Sequence, residues 1–480
     1  MRLKDELIRK NIVVDLDGTL IYTDMLVENI FLFLRLYPLR IFQLLFWLFK
    51  GKAYFKRSIA DAIVPDVELL PYNKELLSWL KHQRETGACL ILATASDFRI
   101  AKKISEYLGI FDEVLGTESI NLSSCNKRDS LLRRYGENGY EYVGNSSADL
   151  AVWRSASAIH VVNPQRGVLK AAQKIRKVTT VFEDRPPLFR TLIKALRIHQ
   201  WAKNMLLFVP LLASHRFIET QLLLNGFLAF IAFGLCASSV YLLNDMLDLP
   251  DDRQHPTKCK RPLALGSFSM LHALMLIPVL LIGAFVIALW LLPIQFAGVL
   301  AAYYILTLTY SLWIKRIAML DVLTLSMLYT IRVVAGVAAM SLTATFWMLT
   351  FCIFIFLSLA FVKRYTELYD VYQNGKMEKL SGRGYYRADL ELLASLGSSS
   401  GYISVVVLAL YINEVATGAL YQSQEWMWVA CPLLLFWISR VWLLTHRGQM
   451  HDDPIVFALR DKESRWIGAA FIVVFTIASF

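Results

Sequence analysis

The sequence predicts a two-part chain: a soluble α/β domain with a parallel, Rossmann-like sheet, followed by an all-α bundle of nine membrane-spanning helices. The chain has 480 residues, of which 56% are hydrophobic, and its mean hydropathy is +0.46. This composition is too apolar for a soluble protein of this length and is typical of a polytopic membrane protein. The apolar residues are concentrated after about residue 185, and a short polar segment with two prolines, 183–187, marks the expected boundary.

Nine apolar segments after this boundary are candidate membrane spans. They lie near residues 196–214, 221–243, 269–290, 293–313, 319–340, 345–362, 400–418, 426–444 and 466–480. Lys and Arg are concentrated in the connections after the even-numbered spans, and the opposite connections hold little more than Arg216. By the positive-inside rule, we expect a multi-pass protein of the inner (plasma) membrane with a cytoplasmic N-terminal domain. This bias also explains most of the net charge of +11, so no nucleic-acid partner is expected.

The most informative motif lies at the end of the second predicted span. It consists of Asn244, Asp245, Asp248 and Asp252. On one continuous helix the three aspartates fall within an arc of roughly 60°, although Pro250 is expected to kink or end the helix nearby. Carboxylates in this arrangement can chelate Mg²⁺, which takes oxygen ligands and often bridges to phosphates. Charged residues at a membrane helix end are usually functional, and the alternative is a solvated cytoplasmic loop.

Polar residues also follow three apolar, strand-like segments of the N-terminal part. The first, 12–20, is a strand that runs into a loop, and it carries Asp15 and Asp17 toward its end. Segments 88–93 and 140–143 are followed by Thr94 and by Asn145 and Asp149, and Lys127 lies between these two segments. Open α/β sheets bind their ligands at the carboxyl ends of the strands, so we expect these side chains to lie together. The set predicts phosphatase chemistry. One aspartate attacks phosphorus, the other serves as acid and base, a hydroxyl and a lysine hold the phosphoryl oxygens, and the remaining acids bind Mg²⁺.

With Asp15-Leu16-Asp17-Gly18-Thr19 followed by three further motifs in order, residues 10–165 resemble the haloacid dehalogenase superfamily. The resemblance implies a phosphatase domain over residues 1–185 with a helical cap at about 24–70. It implies Asp15 as nucleophile, Asp17 as acid and base, Thr94 and Lys127 on phosphate, and Asp149 in the metal motif. The expected Mg²⁺ ligands are Asp15, Asp17, Asn145 and Asp149. Asn145 replaces the usual acid and brings no charge, so the alternative is a slow domain, or one that only binds or regulates.

The predicted cap is unusually apolar, especially in segments 31–34 and 41–49. Because Arg35, Pro38 and Arg40 interrupt this stretch, a complete membrane span is not expected. Two amphipathic helices on the membrane surface, with the arginines toward lipid headgroups, would explain the pattern. The alternative is a cap core that is buried within the domain.

The first aspartate motif and the nine predicted spans resemble the UbiA superfamily of intramembrane prenyltransferases over residues 190–480. The resemblance implies a polyprenyl phosphate or diphosphate bound through Mg²⁺ at two acidic motifs, with Asp245 and Asp248 as catalytic residues. The usual second motif, D-x-x-x-D after the sixth span, is not plainly present. We expect Glu367 and Asp370 to replace it as metal ligands, with Lys363 and Arg364 on phosphate. A solvated charged helix is the alternative.

Further segments resemble the decaprenyl-phosphate phosphoribosyltransferases within this superfamily. They are 196–204, 252–262, 310–315, 332–336 and 447–455. The resemblance implies transfer of phosphoribosyl from phosphoribosyl diphosphate, a phosphorylated sugar donor, to a polyprenyl phosphate in the bilayer. The excess of Lys and Arg suits a donor with several phosphates. The expected substrate-binding residues here are Lys203, Asn204, Arg253, Lys258, Arg261, Lys315, Arg332, Lys363 and Arg364.

Asp321 and Arg332 lie eleven residues apart, about three helical turns, and so share a helix face. We expect them to pair, either to orient a substrate phosphate or as a structural ion pair. Together the two parts predict phosphoribosyl transfer to the lipid, followed by removal of the ribose 5-phosphate. The alternatives are an aromatic prenyltransferase that uses polyprenyl diphosphate and a non-catalytic lipid-binding membrane protein. The basic loops count against the first, and the intact first motif counts against the second.

Overall fold

The chain folds into two compact units in the computed structural model. The structure describes residues 10–63, 65–118, 121–214, 216–255, 257–373, 383–413, 421, 423–450 and 453–479. One unit comprises residues 1–196 and 241–276, and the other comprises 197–240 and 277–480. The first unit therefore contains both the N-terminal part and the chain segment with the first aspartate motif.

A six-stranded parallel sheet lies at the centre of the first unit. Its strands are β1 (Asn11–Val14), β2 (Cys89–Asp97), β3 (Glu113–Thr117), β4 (Glu141–Gly144), β5 (Ala158–Val162) and β6 (Val178–Phe182). The spatial order is β3-β2-β1-β4-β5-β6, so β1 is central, between β2 and β4. This confirms the predicted parallel α/β sheet and places the ends of β1, β2 and β4 side by side.

Among the described residues, nine helices accompany this sheet, and five of them, α4 to α8, cover its two faces. The nine are α1 (Met25–Leu36), α2 (Ile41–Phe49), α3 (Lys52–Ala62), α4 (Lys74–Glu85), α5 (Phe98–Leu108), α6 (Cys125–Tyr135), α7 (Leu150–Trp153), α8 (Val168–Ile175) and α9 (Leu188–Ala195). Because side chains alternate along a strand, Ile12 and Val14 join the core with α4 and α5, while Val13 joins the core with α6, α7 and α8. Helices α1 to α3 lie in the predicted cap and share a small apolar cluster that includes Phe33 and Phe55.

Seven helices among the described residues are long and apolar enough to cross a membrane. They are Thr220–Leu247, Met270–Trp290, Ile294–Leu312, Leu320–Met340, Phe346–Gln373, Arg387–Ile412 and Glu425–His446. The prediction of nine spans was therefore wrong. The first predicted span is divided between a 3-10 helix, Ile198–Phe208, and the short helix Val209–Ala213. The last forms Lys462–Ser479, whose charged first turn leaves too short an apolar stretch.

Shorter helices complete the membrane part. They are Leu249–Gln254 and Pro454–Arg460, with 3-10 turns at Lys258–Lys260 and Ile314–Arg316. Within the second unit, helix Leu320–Met340 packs closely on the 3-10 segment Ile198–Phe208 at Gly336. A Cβ atom at Gly336 would lie 2.0 Å from the carbonyl oxygen of Leu207, so only glycine permits this approach.

We predict that Gly336→Ala forces these two segments apart and destabilises the second unit by about 1–3 kcal/mol. The measurement is the thermal unfolding midpoint of the purified full-length chain in detergent. Gly298→Ala is the matched control, because Gly298 is also helical but a Cβ there meets nothing within 4 Å. An equal change in the two variants would contradict the proposed close packing.

Candidate functional sites

The first candidate site lies where β1 ends, at Asp15 and Asp17. The Lys127 ammonium donates to Asp15 Oδ1 at 2.7 Å and to the Tyr142 hydroxyl at 3.0 Å. Asp17 accepts from the Met25 N–H at 2.8 Å and from the Ser96 hydroxyl at 2.7 Å. The structure therefore brings Asp15, Asp17 and Lys127 together as the sequence predicts, and it adds Ser96 to the set. Their roles stay predictions.

Both carboxyl groups are removed from water by this packing. Burial raises the pKa of Asp15 to about 6, although the Lys127 ammonium opposes the shift. Burial raises the pKa of Asp17 to about 7, and the neighbouring Asp24 acts in the same direction. Desolvation disfavours the charged form of a carboxylate, so an added cation beside these two groups would be stabilising.

Strand β2 and helix α3 add Thr94 and Lys56 to this site. Thr94 is buried, and its Oγ1 accepts from the Ser96 N–H at 3.0 Å. Lys56, on α3, donates to the Ala95 carbonyl at 2.7 Å and to Asn121 Oδ1 at 3.0 Å. Sequence reasoning missed Lys56, because nothing in the residue pattern shows where the cap directs its lysines. It brings a second ammonium to Ala95, the residue that follows Thr94 on β2.

The loop after β4 places Asn145 and Asp149 differently from each other. The Asn145 side chain lies against the loop that follows β1, since a Cβ atom at Gly18 would lie 2.2 Å from Asn145 Nδ2. Asp149 Oδ2 accepts from the N–H groups of Asn145 and Ser146 at 3.0 and 2.9 Å. Its Oδ1 accepts from the Tyr142 hydroxyl at 2.8 Å. In this arrangement Asp149 holds the loop in place rather than offering an open oxygen, so its predicted metal contact stays a prediction.

The second candidate site is the first aspartate motif, and its local structure corrects one expectation. Helix Thr220–Leu247 ends before Asp248, and a new helix, Leu249–Gln254, begins with Pro250 in its first turn. Proline is favoured there because its missing N–H is not needed in a first helical turn. The three aspartates therefore do not share one continuous helix face as the spacing predicts.

Arg261 nevertheless gathers two of these aspartates. Its Nη1 lies 3.2 Å from Asp245 Oδ1 and 2.5 Å from Asp252 Oδ2, and both carboxylates are buried. Burial raises the pKa of Asp252, while Arg261 and the nearby Lys258 act to lower it. Asn244 Oδ1 is buried and has no hydrogen-bond partner among the described residues. An orphaned amide oxygen next to carboxylates suits a hard cation that takes oxygen ligands.

No group of three or more His, Cys, Asp or Glu side chains that could hold a metal occurs within the described part of the chain.

Arg253, in the first unit, was predicted to bind phosphate, and the structure corrects this prediction. Its two terminal nitrogens contact the two oxygens of Glu28 on α1, at 3.1 and 2.5 Å, and its Nε donates to the Ala264 carbonyl. This correction follows from burial, since both side chains of the pair are about nine-tenths covered.

The second unit gathers several predicted phosphate ligands around a carboxylate. Asp453 Oδ2 lies 2.7 Å from the Lys203 ammonium and 3.5 Å from that of Lys363, and it accepts from the Tyr329 hydroxyl at 2.9 Å. Although burial acts to raise it, the two lysines hold the pKa of Asp453 well below its usual value. Sequence reasoning gave Asp453 no role, and its only signal was the resemblance over 447–455. Asp452 lies outside the described residues.

Asn204 follows Lys203 directly in the sequence, and its Oδ1 accepts from Arg332 Nε at 3.3 Å. Arg332 Nη2 also donates to the Tyr303 hydroxyl at 3.3 Å. The Nδ2 of Asn204 is buried without a hydrogen-bond partner in the described structure. Lys315 lies in the 3-10 turn Ile314–Arg316. Binding of substrate by these residues stays a prediction.

A third charged cluster in the second unit overturns two expectations. Asp321 pairs with Arg364, at 2.7 Å, and with Arg383, at 3.3 Å, and not with Arg332. Arg364 is fully buried and also pairs with Glu367, which in turn contacts Arg383. Arg364 is enclosed by these acidic partners, which corrects its predicted position on a phosphate. Glu367 keeps part of its side chain exposed, and its predicted metal contact stays a prediction. Asp370, one turn further on, is exposed.

Known proteins and one family model are similar to this chain over most of its length. The UbiA prenyltransferase family model matches residues 205–468. The uncharacterised protein y4nM of Sinorhizobium fredii is 37% identical over 97% of this chain and 90% of its own length. A decaprenyl-phosphate phosphoribosyltransferase of Mycolicibacterium smegmatis is 32% identical over 59% of this chain and 92% of its own. A solved HAD family hydrolase from Salmonella enterica matches 36% of this chain and 67% of its own, at 14% identity and a TM-score of 0.28.

We predict that Glu28→Gln destabilises the first unit by about 3–5 kcal/mol, because it leaves the Arg253 guanidinium buried without its counter-charge. Thermal unfolding of the purified chain in detergent provides the measurement. Asp251→Asn is the control: the Asp251 side chain is 42% exposed, so water replaces part of the lost contact with Arg35 and the loss should stay within about 1 kcal/mol. Equal losses would show that the buried pair has no special weight.

Proposed function

Because the chain belongs to the UbiA prenyltransferase family, we propose that it transfers a phosphoribosyl group from phosphoribosyl diphosphate to a polyprenyl phosphate. The observation that carries this proposal is the 32% identity to a decaprenyl-phosphate phosphoribosyltransferase over 92% of that protein's length. A phosphate oxygen of the lipid forms a bond to the anomeric carbon of the ribose. The bond from that carbon to the diphosphate oxygen breaks, and diphosphate leaves.

The residues of the first motif fit a magnesium ion. Asn244, Asp245, Asp248 and Asp252 would hold it, and the orphaned Asn244 oxygen and the buried carboxylates support this assignment. When bound, Mg²⁺ supplies positive charge to the oxygens of the departing diphosphate. Asp15 and Asn145 would hold a second Mg²⁺, since the Asp15 carboxylate is buried and the Asn145 side chain lies against the loop that follows β1. Burial raises the pKa of Asp17 to about 7, so this carboxyl group can carry a proton instead.

Lys203 and Lys363 would bind a phosphate of the donor. Both ammonium groups already face an anion, the carboxylate of Asp453, within 3.5 Å. A phosphate group could share or take over these contacts, because charge-assisted hydrogen bonds from lysine suit phosphate oxygens as well as carboxylates. Asn204 would add a donor, since its Nδ2 is buried without a partner in the described structure. Asp453 would then keep the two lysines in place until the donor arrives.

The N-terminal domain would remove the 5-phosphate of the transferred ribose. Asp15 attacks the phosphorus atom, and Lys127, 2.7 Å from Asp15, holds a phosphoryl oxygen. Asp17, fixed by Met25 N–H and the Ser96 hydroxyl, gives a proton to the leaving ribose oxygen and then takes one from the attacking water. Thr94 and Lys56 flank the same loop and would contact the remaining phosphoryl oxygens.

The seven candidate spans and the family membership identify a multi-pass membrane protein. In this proposal the positive-inside rule places the basic segment after Thr220–Leu247 on the cytoplasmic side of the inner membrane. The N-terminal domain lies on that same side, because Arg35 contacts Asp251 in this segment. Both reactions would then occur at one membrane face. Tethering of the two domains raises the effective concentration of the first product at the second site.

Diphosphate release tests the transferase. Detergent-purified full-length chain with Mg²⁺ should release diphosphate only when both polyprenyl phosphate and phosphoribosyl diphosphate are present. Asp248→Asn should lower the rate by about 100-fold or more, because it removes charge stabilisation at the leaving group. Asp251→Asn, three residues along the chain, should keep its activity, because Asp251 contacts Arg35 and is not part of the proposed magnesium site.

Two other outcomes would contradict the proposal. Turnover of polyprenyl diphosphate with an aromatic acid, without use of phosphoribosyl diphosphate, would indicate the aromatic prenyltransferase. The absence of release with any donor would indicate a lipid-binding protein.

A further inference from the structure

Helix α2 exposes apolar side chains that the rest of its unit leaves uncovered. Phe42, Phe46 and Phe49 are 77%, 57% and 90% exposed, and Leu44 is the buried residue of the helix. Gln43 is the only polar residue among its nine. Contiguous apolar surface of this kind marks an interaction site rather than an ordinary water-facing helix. The sequence left open whether the apolar cap is buried within the domain or lies on the membrane surface. Helix α2 is exposed, which favours the second arrangement for this helix.

The length of α2 excludes a transmembrane role. Nine residues of α-helix extend about 13.5 Å, which is less than half of the roughly 30 Å of a bilayer's hydrocarbon core. The helix can therefore lie along a membrane surface but cannot cross it. Helices of this type bury one side at the boundary between headgroups and acyl chains.

All charged residues in the sequence around α2 are basic. Between Glu28 and Asp61 there is no Asp or Glu, and the basic residues are Arg35, Arg40, Lys50, Lys52, Lys56 and Arg57. Arg40 and Lys50 flank the two ends of α2. The Arg40 guanidinium lies over the Tyr37 ring at 4.8 Å, and the Lys50 ammonium lies over the Phe46 ring at 4.6 Å. A basic rim around an apolar surface complements anionic lipid headgroups.

Ion pairs within the first unit place α2 close to the membrane. Arg35, at the end of α1, contacts Asp251 at 2.7 Å. Asp251 is four residues beyond the end of Thr220–Leu247, a candidate membrane span. Ile41, the first residue of α2, follows Arg35 by six positions, a stretch of chain that extends at most about 21 Å. Helix α2 is therefore within reach of the membrane surface from which the span emerges.

We propose that α2 docks into the interfacial layer of the bilayer, with Phe42, Phe46 and Phe49 among the acyl chains and Arg40 and Lys50 on the phosphates of anionic lipids. The same cap supplies Lys56 to the site of Asp15 and Asp17. Docking would therefore hold that site beside phosphates that are carried on a lipid. This last consequence rests on the proposed phosphatase activity, whereas the docking itself does not.

Spin labelling tests the docking without reference to any reaction. The full-length chain, with Cys89, Cys125 and Cys259 replaced by serine, would carry a nitroxide at Phe42→Cys or Phe49→Cys. The remaining cysteines are buried. The samples are nanodiscs of equal parts phosphatidylcholine and phosphatidylglycerol, and the control is Lys103→Cys, an exposed position on α5. Power saturation gives the collision rates with oxygen and with a water-soluble nickel complex.

We expect the ratio of oxygen to nickel collisions to be several-fold higher at positions 42 and 49 than at 103. A ratio equal to that of the control would overturn the proposal, and spin–spin broadening at position 42 would overturn it in favour of contact with a second copy of the chain. The combined change Arg40→Gln and Lys50→Gln, and nanodiscs of phosphatidylcholine alone, should each lower the ratio. An unchanged ratio in both would overturn the assigned role of the anionic headgroups.

Discussion

Neutralisation of buried charge is the constraint on which this structure depends most. A charged group removed from water is costly unless an opposite charge and hydrogen bonds replace its solvent. In the segments that adjoin the membrane, Arg261 meets Asp245 and Asp252, and Glu28 meets Arg253. These pairs fix how the chain turns after the helix Thr220–Leu247 and how helix α1 is attached to that turn.

The same constraint distinguishes two charged groups in the second unit. Asp321 and Glu367 both pair with Arg364 and Arg383, so two negative charges balance two positive ones. Asp453 instead lies between two lysines, and the neighbouring Asn204 keeps an unsatisfied amide nitrogen in the described structure. The second group is therefore the better candidate for a phosphate site.

Local sequence patterns predicted the parts of the structure that depend on neighbouring residues. The run from Ile12 to Leu20 predicted a buried parallel strand with Asp15 and Asp17 at its carboxyl end, because strand and loop are adjacent in the chain. The partner of Asp321 could not be predicted in this way. Spacing on one helix favoured Arg332, but the partners come from Arg364 on the next long helix and from Arg383 beyond it. The role of Lys56 depends likewise on how the cap folds over the sheet.

The central claim is that the two sites act in turn on one lipid, and analysis of the lipid product tests it most directly. Purified full-length chain would be incubated with polyprenyl phosphate, phosphoribosyl diphosphate and Mg²⁺, and the lipid product identified by mass spectrometry. We predict the ribosyl lipid phosphate without a 5-phosphate from the unaltered chain, and the 5-phosphorylated form from Asp15→Asn. The same product from both proteins would contradict the claim.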